Sequence, residues 1–195
     1  AMATGTNTNT GSPALLWYPL RVTYSRELKV REMLVSEGLE CFIPMTVKTE
    51  TRNGEKIRKT VPAINNLCFV RGARAELETV FREKGMKTYV SFIWERATRL
   101  PAVVPDKAME DFIRVSEARY EDIVYLLDVS SKLRAGQKVR VKSGPFAGVE
   151  GTVVRVKRSR RVMVELPGML AVATSYIPDS DLEIVTGENE NIISG

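Results

Sequence analysis

The residues best equipped for chemistry in this chain are cations. Between Lys132 and Arg161 there are ten basic residues and one acid, Glu150, a density suited to holding phosphates or another polyanion. A solvated strand face is the other reading of the same pattern. The formal net charge of +5 favours anionic partners without naming one. Reaction chemistry is harder to assemble. None of the 195 residues is histidine, which removes the imidazole base, the Ser-His-Asp arrangement and the HExxH helix. Two separated cysteines, Cys41 and Cys68, do not make a zinc site. The glycine patterns of nucleotide-binding loops are absent, and no two carboxylates are set together for acid–base work. We therefore assign no catalytic residue, no metal ligand and no cofactor. Each cysteine lies in an apolar, strand-like run and reads as a reduced core residue.

The cations must be positioned by something, and Lys138 to Leu166 supplies it. Lys138-Val-Arg-Val-Lys142 alternates with period two, placing Val139 and Val141 on one face and Lys138, Arg140 and Lys142 on the other. Ser143 to Gly148 combines two glycines with a proline, the composition of a tight reversal. Val149 to Val156 resumes the strand, and its run of valines predicts a bulge near Gly151. Val162, Val164 and Leu166 provide the inner face of a third strand. Three short curved strands of this kind predict a small barrel.

Ahead of the barrel, Leu15 to Val22 reads as a first strand. Ser25 is the expected N-cap of a helix to about Glu37, with Val30, Leu28, Leu34 and Val35 as its apolar stripe, Arg26, Lys29 and Arg31 as a cationic edge, and Gly38 as its stop. Leu39 to Thr46 is a second strand. Asn53-Gly54, flanked by Lys48, Arg52, Lys56, Arg58 and Lys59, predicts a projecting basic β-hairpin. Leu67-Cys-Phe-Val70 is apolar on both faces, as a strand covered on both sides would be, or one whose second face is kept for a partner. Ala75 to Gly85 is a helix with Leu77, Val80 and Phe81 inward. Thr88 to Trp94 is a fourth strand. Pro101 to Pro105 is extended, and Asp106 is expected to cap a helix carrying Met109, Phe112, Ile113 and Val115. The order predicts helices packed on a mostly antiparallel sheet.

Two sets of residues resemble one family. Gly136-x-x-Val139-x-Val141-x-x-Gly144-Pro-Phe-x-Gly148-x-x-Gly151-x-Val153 looks like a KOW motif. Trp17-Tyr18, Cys41-Phe-Ile-Pro-Met45, Asn53-Gly54, Leu67-Cys-Phe-Val70 and Pro101-Ala-Val-Val-Pro105 resemble the N-terminal domain of NusG-type transcription factors in order and spacing. The likeness spans about 15–185. Met45 after Pro44, Pro101 to Pro105 and Ala171 to Pro178 look closer to the specialised RfaH and UpxY groups, the latter regulators of capsular polysaccharide operons. The implied fold class is α+β: a NusG-type α/β sandwich, an antiparallel sheet flanked by helices, followed by a small KOW β-barrel. The expected division is a disordered leader at 1–14, the N-terminal domain at 15–118, a linker at 119–132, the barrel at 133–185 and a disordered tail at 186–195.

The resemblance implies a cytoplasmic, monomeric transcription elongation and antitermination factor, not an enzyme. It implies docking on the clamp helices of the largest subunit of RNA polymerase through Leu67, Phe69, Trp94 and Met109. Arg26, Lys29, Arg31, Arg52 and Lys56 are candidates for contact with non-template DNA or nascent RNA. Phe146, with Lys142, Arg158 and Arg160, is the candidate barrel loop for RNA or a ribosomal protein. An RNA- or ribosome-binding module centred on the basic barrel is the alternative. The chain departs from the family pattern at Asn65-Asn66-Leu67, where an aliphatic residue replaces an aromatic one. It departs again at Glu78-Thr79-Val80, where the RfaH group is rich in His and Thr.

Overall fold

The structure, a computed structural model, describes residues 11–118 and 122–186. The first ten residues of the expected leader, residues 119–121 of the expected linker and the tail from 187 lie outside these. The chain runs β1 (Leu16–Val22), α1 (Glu27–Ser36), β2 (Glu40–Phe42), β3 (Met45–Arg52), β4 (Glu55–Pro62), β5 (Leu67–Gly72), α2 (Arg74–Glu83), β6 (Val90–Phe92) and α3 (Asp106–Ser116). It continues through β7 (Val124–Leu126), α4 (Ser131–Arg134), β8 (Lys138–Val141), β9 (Glu150–Val156), β10 (Ser159–Leu166), β11 (Leu170–Ala173) and β12 (Leu182–Ile184).

The first sheet has the order β2-β5-β1-β6 and is antiparallel throughout. Alternation along β5 sends Cys68 and Val70 to the side of α1 and α2, where they join Leu20, Val30, Leu34, Leu77 and Phe81. It sends Leu67 and Phe69 to the other side, against α3. Of the two readings of that doubly apolar strand, the structure adopts burial on both faces. β3 and β4 form a separate two-stranded ribbon whose tip, Asn53 and Gly54, has φ of 53° and 81°. Two left-handed residues in succession make the turn that matches strand twist in a two-residue hairpin.

The second sheet has the order β12-β8-β9-β10-β11-β7. β7 and the first half of α4 fall in the stretch expected to be a linker; β7 pairs with β11 through Ala171–Ala173 and so joins this sheet. One sheet face, with Val139, Val141, Val162, Val164 and Val172, merges with Met109, Phe112 and Val115 of α3 into one apolar cluster. The opposite face carries Val154, Met163, Ala171 and Ala173 around Val129.

Several local expectations are corrected. Ser25 does not cap α1. Tyr24 and Ser25 are both left-handed (φ 60° and 52°), and the helix starts after Arg26 with no side-chain cap. Leu28 and Val35 face solvent. The buried residue of that first turn is Glu27, whose Oε1 accepts the Asn66 N–H at 2.7 Å, satisfying a donor that the left-handed Asn66 turns away from the sheet. Asp106 is the first residue of α3 itself and makes no side-chain cap.

No bulge forms at Gly151. The β8–β9 register runs through it without a break, Val139 facing Gly151, and the β9–β10 register is regular up to its last pair, Met163 facing Thr152. Val154 avoids water because the outer face has its own apolar cluster. Gly151 is needed for closeness: a Cβ there would lie 2.3 Å from Met163 O and 2.8 Å from Val162 Cγ1. Gly151→Val is therefore expected to cost about 3 kcal/mol, since backbone must move to admit it. Chemical denaturation of the full chain checks this. A variant within about 0.5 kcal/mol of the parent, the range of an ordinary surface substitution, would mean the strands are not this close.

Candidate functional site

α3 is the element on which the possible sites converge, because it is covered from two sides. Its amphipathic pattern gives it Met109, Phe112 and Val115 as fully buried residues. The Phe112 ring lies 6.0 Å from Phe69 and 6.2 Å from Phe42 on one side, and 6.4 Å from Tyr125 of β7 on the other. A polar rim closes the edge of this contact. Lys107 Nζ donates to Asp111 Oδ1 and to Gly148 O, both at 2.9 Å. Asp111 Oδ2 accepts the Glu150 N–H at 3.2 Å. Arg114 donates to the carbonyls of Ala147 and Pro145. Three side chains of one helix thus hold the backbone of the β8–β9 loop.

This arrangement relocates four expected contact residues. Leu67, Phe69 and Met109 are exposed by only 7%, 0% and 0%, so they are packing residues in this conformation and not an open apolar face. Phe146, expected at the tip of a recruiting loop, is also buried, turned into the same cluster. The physical reason is common to all four: α3 and the second sheet together supply enough apolar surface to cover them.

Trp94 is different. It is 52% exposed, just beyond β6 at the edge of the first sheet, with Arg74 over its ring at 5.4 Å. It forms an isolated bridge with Pro101, and the Glu95 N–H donates to Leu100 O at 2.9 Å, bringing Leu100 back beside it. Leu100 and Val103 are exposed as well. An exposed tryptophan on a segment with two further exposed aliphatic residues suits docking, since such a ring offers large area at small entropic cost. Sequence periodicity missed Leu100 and Val103, because the loop that returns them to the end of β6 has no regular pattern.

The candidate nucleic-acid residues divide into three places. Arg52 and Lys56 are exposed at the tip of the β3–β4 ribbon, and Lys48 faces Lys59 across it. Arg26 and Lys29 are exposed on α1, with the Arg26 guanidinium 4.6 Å from the Tyr89 ring centroid and 5.7 Å from that of Tyr24. Arg31 is half-buried beside the root of the ribbon, in a cleft shared with Cys41 and Met45. On the second sheet part of the basic run is occupied internally. Arg140 pairs with Glu150 and Glu183, Arg134 with Glu165, and Arg160 with Asp179, while Arg161 donates to the carbonyls of Asp122 and Thr174. Lys142 stays exposed, as does Arg158 in the left-handed turn Lys157-Arg158 (φ 49° and 62°) between β9 and β10. Pairing of this extent leaves the barrel a smaller polyanion site than its composition implied. Among the described residues no cluster of three or more His, Cys, Asp or Glu side chains could hold a metal ion, and no helix is long and apolar enough to cross a membrane.

Comparison with known proteins bears on both halves. Residues 15–113 match the family described as transcription termination factor NusG. The chain belongs to the NusG family. Residues 135–165 match the KOW motif, so the α+β architecture of an N-terminal NusG domain and a KOW β-rich domain is the family's own. A solved structure described as "Domain interaction in Thermotoga maritima NusG" is similar at 20% identity, with a TM-score of 0.46, covering 89% of this chain and 98% of that one. No curated protein matches the chain. NusG-family membership makes this a transcription elongation or termination regulator of a non-enzymatic family, whose members generally interact with RNA polymerase and nucleic acid.

Proposed function

We propose that this NusG-family protein is an antitermination and elongation regulator that rides on RNA polymerase, held to the clamp helices through its N-terminal domain, and that it serves a long polysaccharide operon. The observation that carries the docking surface is the exposed rim of Trp94, Leu100 and Val103 beside an edge strand of the NusG domain. Leu67, Phe69 and Met109 act beneath it as the packed layer that fixes β5 and α3. The basic ribbon, with Arg52 and Lys56 at its tip, is the contact for the DNA or RNA leaving the enzyme. The operon assignment rests on the likeness of Pro101 to Pro105 and Ala171 to Pro178 to the specialised paralogues. Mapping where the protein accompanies polymerase along the genome tests it: confinement to one long operon is expected, and presence on every gene would overturn it.

Docking has a separate test. Trp94→Ala is expected to weaken polymerase binding by roughly 30-fold, the loss typical of an aromatic hot spot, while the melting temperature moves by no more than about 2 °C. Undiminished co-purification with polymerase would exclude this rim.

A second reading has its own observation behind it. The Lys107–Asp111–Arg114 contacts join α3 to a loop by side chains alone, so the KOW domain could leave α3 without breaking a strand. In that reading Met109 and Phe112 meet polymerase only after departure. A flexible bifunctional thiol crosslinker between Arg114→Cys and Ala147→Cys separates the two: it leaves binding intact if the rim docks and blocks it if α3 does.

A further inference from the structure

The two cysteines, far apart in sequence, meet in space. Cys41 on β2 faces Val70 on β5, and Cys68 lies two residues back along β5 on the same side of the sheet. Their sulfurs are 3.0 Å apart, with neither in a disulfide. A disulfide needs about 2 Å between sulfurs, so the pair is about one ångström from a bond. The two positions differ in access. Cys68 is fully buried, whereas Cys41 is half-buried and lines a cleft of about 150 Å³ with Arg31, Ser116 and Glu117. Ser116 Oγ is buried in that cleft with no hydrogen-bond partner among the described residues.

We infer that Cys41 and Cys68 form a peroxide-responsive dithiol, oxidised reversibly to an intramolecular disulfide that locks the root of the basic ribbon. The oxidant class is a small hydroperoxide, hydrogen peroxide being the simplest that the cleft admits. The Cys41 sulfur attacks one peroxide oxygen as its thiol gives up the proton; the O–O bond breaks, an S–O bond forms, and the departing hydroxide takes that proton and leaves as water. Sulfur has been oxidised and peroxide reduced. Cys68 then attacks the Cys41 sulfenyl sulfur; the S–S bond forms, the S–O bond breaks, and the Cys68 proton leaves on the hydroxyl as a second water. Two thiols and one peroxide give one disulfide and two waters.

The surroundings fit the order of these steps. A hydrogen bond with Cys41, and then burial, hold the Cys68 thiol well above its usual pKa, which keeps it protonated as the resolving partner until a sulfenic acid forms beside it. Arg31, Glu117 and Ser116 line the cleft beside Cys41.

The consequence follows from topology. Cys41 and Cys68 are 27 residues apart, and what lies between them is the end of β2, all of β3 and β4, and the start of β5. The disulfide therefore closes a covalent ring around the whole ribbon. It ties β2 to β5 at the place where the Ala63 N–H donates to Pro44 O at 2.8 Å and the Tyr125 hydroxyl reaches Met45 O. Oxidation would fix the angle at which the ribbon's cations leave the domain.

The full chain, reduced and then exposed to hydrogen peroxide, tests this. Both thiols are expected to be lost together on thiol titration under denaturing conditions. Peptide mapping should join the Cys41 and Cys68 peptides with loss of two hydrogens, and dithiothreitol should restore both thiols. Closing a loop of this size should raise the melting temperature by on the order of 10 °C. Cys68→Ser should stop at a Cys41 sulfenic acid that dimedone traps, and Cys41→Ser should leave Cys68 unmodified. Over-oxidation of Cys41 with Cys68 still free, a crosslink between two chains, or a disulfide that lowers the melting temperature would each overturn the inference.

Discussion

Phe69→Ser is expected to lower the unfolding free energy by about 4 kcal/mol, a shift of roughly 10 °C in melting temperature for a chain of this length. Phe69 is fully buried and packs against Phe112 at 6.0 Å. Removing its ring opens a cavity between the first sheet and α3, and the serine hydroxyl would be stranded in an apolar layer. The same substitution should also reduce polymerase binding, but through loss of fold. That is why Trp94, which lies outside the core, is the informative position for docking. Thermal melts of the two variants side by side make the comparison. A Phe69→Ser protein melting within about 2 °C of the parent would show that in solution β5 is not covered by α3.

Phe112→Ala is expected to cost a similar amount, about 4 kcal/mol, and to do so in both halves of the molecule. Phe112 belongs to a cluster that includes Trp17, Leu67 and Phe69 of the first sheet and Val139, Val162, Val164 and Val172 of the second. Three aromatic neighbours lose their partner at once. Amide exchange in β1 and β5 should accelerate together with exchange in β10 and β11, since one packed helix supports both. Acceleration confined to the first sheet would mean that the KOW domain carries a core of its own and touches α3 only at the surface.

The fold was legible where local rules act alone. The alternation of Val139 and Val141, the helical spacing of Leu77, Val80 and Phe81, and the Asn53-Gly54 turn each led to the element that forms. Glycine positions were legible too, though at Gly151 for the wrong reason. A bulge and a close approach both call for a missing side chain, and only the neighbouring strand tells them apart. The start of α1 was misread because two residues, Tyr24 and Ser25, adopt left-handed backbone that their types do not favour.

The candidate site was legible only in part. The exposure of Arg52 and Lys56 at the ribbon tip was legible because a two-residue turn exposes its flanks whatever surrounds it. The burial of Leu67, Phe69, Met109 and Phe146 was not legible, because periodicity reports which face of an element is apolar, not what covers that face. By itself the sequence determined the family, the two sets of strands and the projecting basic ribbon, all of which follow from short-range patterns and their order. Only the tertiary structure decided that α3 is shared by two sheets, that Arg134, Arg140 and Arg160 of the basic strip pair with acids brought beside them, and that Cys41 and Cys68 meet. Those facts depend on contacts between residues tens of positions apart, and no spacing along the chain encodes a distance across it.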